Sequence, residues 1–116
     1  MERMSFTASV RGFDAPAEVL DRAESDAMFR VIREKNYFYY SEDFRTEDHD
    51  KIVSTVNAAV DIVEEYPEIF QKTVRLGGEI ELYITYHTNT TAGFEINTKT
   101  IDRLSSLGIS LAIDFM

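Results

Sequence analysis

Apolar and polar residues alternate over residues 4–11. Met4, Phe6, Ala8 and Val10 share one side, and Ser5, Thr7, Ser9 and Arg11 the other. A period of two is that of a strand with one buried face, and Gly12 is expected to end it. Asp14 is placed to cap a helix with Pro16 in its first turn, carrying Val19, Leu20 and Ala23 on one side and ending near Ser25. Residues 28–42 allow two readings. MFRVIRE extends the helix, or it forms a strand that turns at Glu34-Lys35-Asn36 and returns as NYFYYSE. The β-branched and aromatic content favours the hairpin.

The strongest helical pattern follows. Thr46 is the expected N-cap, with Glu47, Asp48 and Asp50 in the first turn, where carboxylates complement the helix dipole. Ile52, Val53, Val56, Ala59, Val60 and Val63 then fill one arc, and the helix is expected to run to Tyr66. PEIFQKT predicts a second short helix, and Gly77-Gly78 a turn. EIELYITYH alternates again, with Ile80, Leu82, Ile84 and Tyr86 inward and Glu79, Glu81, Tyr83, Thr85 and His87 outward. TNTTAG reads as a turn and FEI as a short return strand. Asn97 or Thr98 caps a third long helix carrying Ile101, Leu104 and Leu107, which Gly108 ends. The strand ISLAIDF puts Ile109, Leu111, Ile113 and Phe115 on one face.

Strands with one apolar and one polar face exclude a parallel sheet covered on both sides. The pattern therefore predicts a single α+β domain over residues 1–116, with a largely antiparallel sheet and helices on one face. The element order fits a ferredoxin-like split β-α-β arrangement with an added C-terminal helix and strand. The expected core comprises Phe6, Val10, Leu20, Val56, Val60, Val63, Ile80, Leu82, Ile84, Leu104, Leu107, Leu111 and Ile113.

Composition narrows the function. The chain has 116 residues, 44% of them hydrophobic, enough for one core, and no cysteine, which excludes disulfides and thiolate metal sites. No signal peptide or membrane-spanning run is apparent, so the sequence reads as a soluble cytoplasmic protein. The net charge of -9 is concentrated: residues 36–68 hold nine acids and two bases, net -7, against -1 on either side. Such a field repels phosphate backbones and attracts basic proteins, so a basic protein partner is expected and nucleic acid or membrane is not.

The chemistry-bearing residues form no recognisable catalytic motif, and no enzyme activity, metal or cofactor is expected. His49 and His87 are the only histidines, and the acids of residues 42–50 lack the glycine and spacing of a calcium loop. The expected contact surface is instead a ridge on the long helix, Asp50, Ser54, Asn57, Asp61 and Glu65 with Glu64 at its edge, beside the aromatic run. Its partner-binding residues would be Tyr37, Tyr39, Tyr40, Glu42, Asp43, Glu47, Asp50, Asp61, Glu64 and Glu65. Tyrosine beside carboxylate is a common interface composition. The alternative is a polar site on the outward sheet face, built from Arg11, Glu81, Tyr83 and His87, serving a small molecule or an enzyme; a self-associating domain is the third reading.

Two segments resemble a known family. The stretch from Gly77 to Phe115, with its Leu107-Gly108-Ile109-Ser110-Leu111 run and Asp114, is similar to the closing segment of the bacterial domain of unknown function 4279 family. FTASVRGFDAPAEVL resembles that family's first strand and helix. The middle departs from it, since the family places a Gly and a Trp there and this chain has no Trp. The resemblance supports the fold and brings no chemistry. Small acidic bacterial domains of this kind also look like the immunity half of a toxin–immunity pair, which implies an inhibitor of a basic toxin such as a nuclease.

Overall fold

The computed structural model describes residues 3–89 and 93–115. Strand β1 (Met4–Phe13) is followed by helix α1 (Ala17–Glu24), strands β2 (Phe29–Ile32), β3 (Tyr37–Tyr40) and β4 (Phe44–Thr46), helices α2 (Ile52–Glu65) and α3 (Phe70–Arg75), strand β5 (Glu79–Thr88), helix α4 (Thr98–Ser106) and strand β6 (Ile109–Phe115). The sheet order is β2-β3-β1-β5-β6, with β4 also paired to β1. All pairings are antiparallel except β5 with β6.

This is the split arrangement. β1 and β2 run the same way with β3 between them, and β3–β4 and β5 run the same way with β1 between them. The helix α4 and strand β6 extend the sheet beyond β5. β1 is the central strand and pairs with β5 along its whole length, from Met4↔Thr88 to Phe13↔Glu79.

Phe6, Ala8, Val10 and Ile80, Leu82, Ile84, Tyr86 form the buried sheet face, closed by Val19, Leu20, Val56, Val60, Val63, Phe70 and Leu104 from the helices. Each large aliphatic residue buried there is worth about 1.5–3 kcal/mol. An aromatic group, Phe29, Phe38, Tyr40, Tyr66 and Phe70, fills the β2–β3 end in edge-on and tilted contacts.

Several boundaries differ from the sequence expectation. β1 continues through Gly12, because the Phe38 ring from β3 lies across the glycine: a Cβ there would sit 3.0 Å from Phe38 Cδ1 and closer still to Cε1 and Cζ. α1 begins after Pro16, with no side-chain cap, while Asp14 takes a positive φ of 53° in the loop before it. The hairpin reading of residues 28–42 holds, its turn being a 3-10 turn at Arg33–Lys35 closed by Asn36 in the left-handed region. Thr46 is no helix cap. It ends β4, and Asp48 caps a 3-10 turn at His49–Lys51 by accepting from the Asp50 N–H at 3.0 Å. FEI forms no strand, although Phe94 packs edge-on against Phe6 and Tyr86. The turn expected at residues 88–93 lies partly outside the described residues. Of the expected core, Leu107 is half-buried, and Leu111 and Ile113 are exposed.

A wide bulge separates β3 from β4. Between the pairs Ala8↔Phe44 and Arg11↔Tyr39, β1 spends two residues, Ser9 and Val10, while the opposite chain spends four, Tyr40 to Asp43. Such insertions bend a strand and turn side chains out of the ladder. Here Glu42 and Asp43 lie in the bulge and are exposed.

Candidate interaction surface

The run YFYY can bury only alternate members. The Gly12↔Phe38 pairing decides which: Phe38 and Tyr40 point into the core, and Tyr37 and Tyr39 onto the open face of the sheet. Tyr40 is 6% exposed, which removes it from the expected contact residues. Burial, together with the charges of Tyr66, Glu42, Glu65 and Asp26, raises its hydroxyl above the ordinary tyrosine range.

The open face carries a connected group of side chains around Arg11. Its Nε donates to Glu81 Oε1 at 2.6 Å, across the β1–β5 pair, and its guanidinium also forms an ion pair with Glu81. The guanidinium carbon lies 4.1 Å from the centre of the Tyr83 ring and 5.3 Å from that of Phe13, within cation–π range. Burial opposes the charge on Arg11, but the Glu81 hydrogen bond and charge outweigh it, so its pKa is raised. The Tyr83 hydroxyl donates to Asp114 Oδ2 at 2.8 Å, and this bond, with burial, raises its pKa. Phe13 continues the group to Tyr37 at 5.1 Å, and Tyr37 to Tyr39 at 5.7 Å. The result is a connected, half-exposed aromatic and arginine surface with no helix over it among the described residues.

Three of the four residues expected for a sheet-face site, Arg11, Glu81 and Tyr83, therefore come together. His87 does not: it pairs with Ser5, four residues along β5 from Tyr83, or about 13 Å at the rise of a strand. Phe13 was not expected there. The signal was its parity with Arg11, hidden by the reading of Gly12 as a strand end.

The acidic residues divide into two groups. Glu42, Asp43, Glu47 and Asp50 are exposed along the β3–β4 bulge and the turn into α2. Asp43 lines a groove with Ser54, Thr55 and Ala58 of α2, and the Glu42 charge acts on the inward-facing Tyr40. Asp61 and Glu64 lie farther along α2 and are ion-paired to Arg103 of α4. Its Nε donates to Glu64 Oε1 at 2.7 Å, its Nη1 to Asn57 Oδ1 at 3.0 Å, and its Nη2 to Asp61. Burial opposes the Arg103 charge, and these carboxylates outweigh it, raising its pKa. Asn57 in turn donates to buried Thr100 at 3.1 Å. The middle of the expected ridge is thus ion-paired to α4, although Asp61 and Glu64 stay exposed, as does Glu65 at its end. The single tyrosine-and-helix surface expected from the sequence is two surfaces on opposite layers.

The concavities are shallow. The open groove lined by His49, Ile52, Val53, Gly93, Phe94 and Glu95 is about 500 Å³, and Glu95 is the one other titratable side chain in its lining. No group of three or more His, Cys, Asp or Glu side chains is arranged to hold a metal among the described residues. No helix among them is long and apolar enough to cross a membrane.

These features define an α+β domain of ferredoxin-like topology with an uncovered, aromatic-rich sheet face. Comparison with known protein families, curated proteins and solved structures finds no match for the chain.

Proposed function

We propose that this chain is a non-enzymatic protein-binding domain that captures a basic protein on its open sheet face, with the acidic bulge steering the encounter. The observation that carries the reading is the placement of Tyr37 and Tyr39 beside Phe13, Arg11 and Tyr83 on a face that no helix covers among the described residues. Half-exposed tyrosine and arginine held by one another lose little freedom on binding and make effective anchors. Tyrosine faces also accept cationic side chains. The net charge of -7 over residues 36–68 supports a basic partner, and the likeness to small acidic immunity domains narrows it to a toxin domain such as a nuclease.

The enzyme reading is weaker on geometry. Arg11 is committed to Glu81 and two rings, Tyr83 to Asp114, and His87 stands apart.

Surface plasmon resonance against the basic product of a neighbouring gene, at two salt concentrations, tests the proposal. Tyr39→Ala should speed dissociation by a factor of about 30, the equivalent of a buried anchor worth ~2 kcal/mol. Glu42→Lys with Asp43→Lys should slow association and flatten its salt dependence. If both leave binding unchanged while Glu65→Lys abolishes it, the contact lies at the end of α2 and the sheet-face reading is wrong.

A further inference from the structure

The two edges of the sheet are built differently. β2 is four residues long and closes in a charged turn, Arg33–Lys35. β6 is seven residues long, pairs with β5 at every position from Ile109 to Phe115, and has no proline, no basic residue and no bulge. Its other side pairs with no strand among the described residues. Its inward row continues the core face, beside Ile80, Leu82, Ile84 and Tyr86, yet only Ile109 is covered. Leu111 is 42% exposed, Ile113 39% and Phe115 70%, and Ile101 on the neighbouring helix α4 is 49% exposed. Folded proteins normally shield a long apolar edge of this kind.

The strand's own sequence identifies what shields it. When two copies of β6 pair antiparallel about a two-fold axis normal to the sheet, the apolar rows meet only if facing positions have the same parity. The register centred on Ala112 satisfies this and uses all seven residues. It sets Leu111 opposite Ile113 of the second copy and Ile109 opposite Phe115 of the second copy. On the open face it sets Ser110 opposite Asp114 of the second copy, and Ala112 opposite itself. The strand's one charge meets a hydroxyl and never its own image, which would be destabilising. At roughly 200 Å² for a fully exposed large apolar side chain, the four exposed residues offer on the order of 400 Å² per copy. Two copies with their backbone edges reach about 1,000 Å², the lower bound for a specific interface.

We propose that the chain forms a symmetric dimer through antiparallel β6–β6 pairing, which joins two six-stranded sheets into one and places two open faces side by side. The partner is a second copy of this chain. Because each copy carries -9, dimerisation should tighten with added salt as the repulsion is screened.

Sedimentation equilibrium on the full chain should show a concentration-dependent monomer–dimer equilibrium that shifts towards dimer with salt. Ile113→Lys should remove the dimer and leave the far-UV circular dichroism unchanged. The chain has no cysteine, so single cysteines report the register directly. Ala112→Cys should give a covalent dimer under mild oxidation, and Ser110→Cys should not. A wild-type monomer at all concentrations and salts overturns the proposal, and so does a dimer that survives Ile113→Lys. Equal cross-linking by the two cysteine variants overturns the register.

Discussion

Gly12→Ala adds one methyl group to the middle of the central strand and should be among the most damaging small changes this protein can suffer. The new Cβ would lie 3.0 Å from Phe38 Cδ1 and nearer still to two further ring carbons, where ordinary carbon contacts are about 3.5–4.0 Å. The ring must therefore retreat by on the order of 1 Å. It has nowhere to go: Phe38 is fully buried, with Phe29 at 6.1 Å and Phe70 at 5.6 Å between ring centres. Overpacking of this kind costs about 1–3 kcal/mol. At about 4 °C per kcal/mol for a domain of this size, a 2 kcal/mol loss lowers Tm by about 8 °C. Thermal unfolding followed by circular dichroism gives the shift. The second arm of the experiment is Phe38→Leu, which vacates the space. In that background Gly12→Ala should cost far less than it does alone, so the two changes should be strongly non-additive. A Gly12→Ala protein melting within a degree of wild type, or a double variant whose loss is the simple sum, would show that the ring does not lie over the glycine.

Two further outcomes follow from the electrostatics. Arg103→Ala should lower stability by about 1–2 kcal/mol, read as a lower urea midpoint with unchanged slope, because it frees Asp61 and Glu64 and unpins α4 from α2; the difference from wild type should shrink in high salt. Tyr40 and Tyr66 both have hydroxyl pKa values raised above the ordinary 10.0, by burial first and neighbouring negative charge second. The unfolded chain then loses these protons at a lower pH than the folded one. Their contribution is complete below about pH 10 and declines as pH rises from there through the folded values. Tyr40→Phe with Tyr66→Phe should therefore flatten the alkaline limb of the stability profile, and an unaltered limb would contradict the assignment.

Much of the fold was legible because the strongest signals were local. Alternation in β1 and β5 and the 3.6-residue period of α2 report which side chains share a face, and each sheet or helix face read that way is the one observed. What failed is what a period does not encode. Ile109–Phe115 alternates as cleanly as Glu79–His87, but β5 lies inside the sheet and β6 at its edge, so the same pattern buries Leu82 and exposes Leu111. YFYY announced that two aromatics would face out. Which two depended on a pairing with Gly12, 26 residues away. The helix start was misplaced because Thr46 and Asp48 are equally good caps, and the choice fell to three residues of β4 needed against β1. The candidate site was legible in part for the same reason. Arg11, Glu81 and Tyr83 shared an outward parity, and only the β1–β5 register brought them together while leaving His87 behind.

The full-length pairing of β1 with β5 also governs how the chain reaches its fold. Met4 meets Thr88 and Phe13 meets Glu79, so the centre of the sheet joins segments separated by most of the molecule. The β2–β3 hairpin and the backbone of α2 are held by hydrogen bonds local in sequence and can form early. The central ladder must first bring together residues some 66 to 84 positions apart, and the entropy of that closure precedes any reward from it. Until β5 has been synthesised, β1 has no neighbour on that side. Folding is therefore set by the arrival of Glu79–Thr88, and substitutions that weaken β5 should slow the folding rate, whereas equal losses in β6 should mainly hasten unfolding.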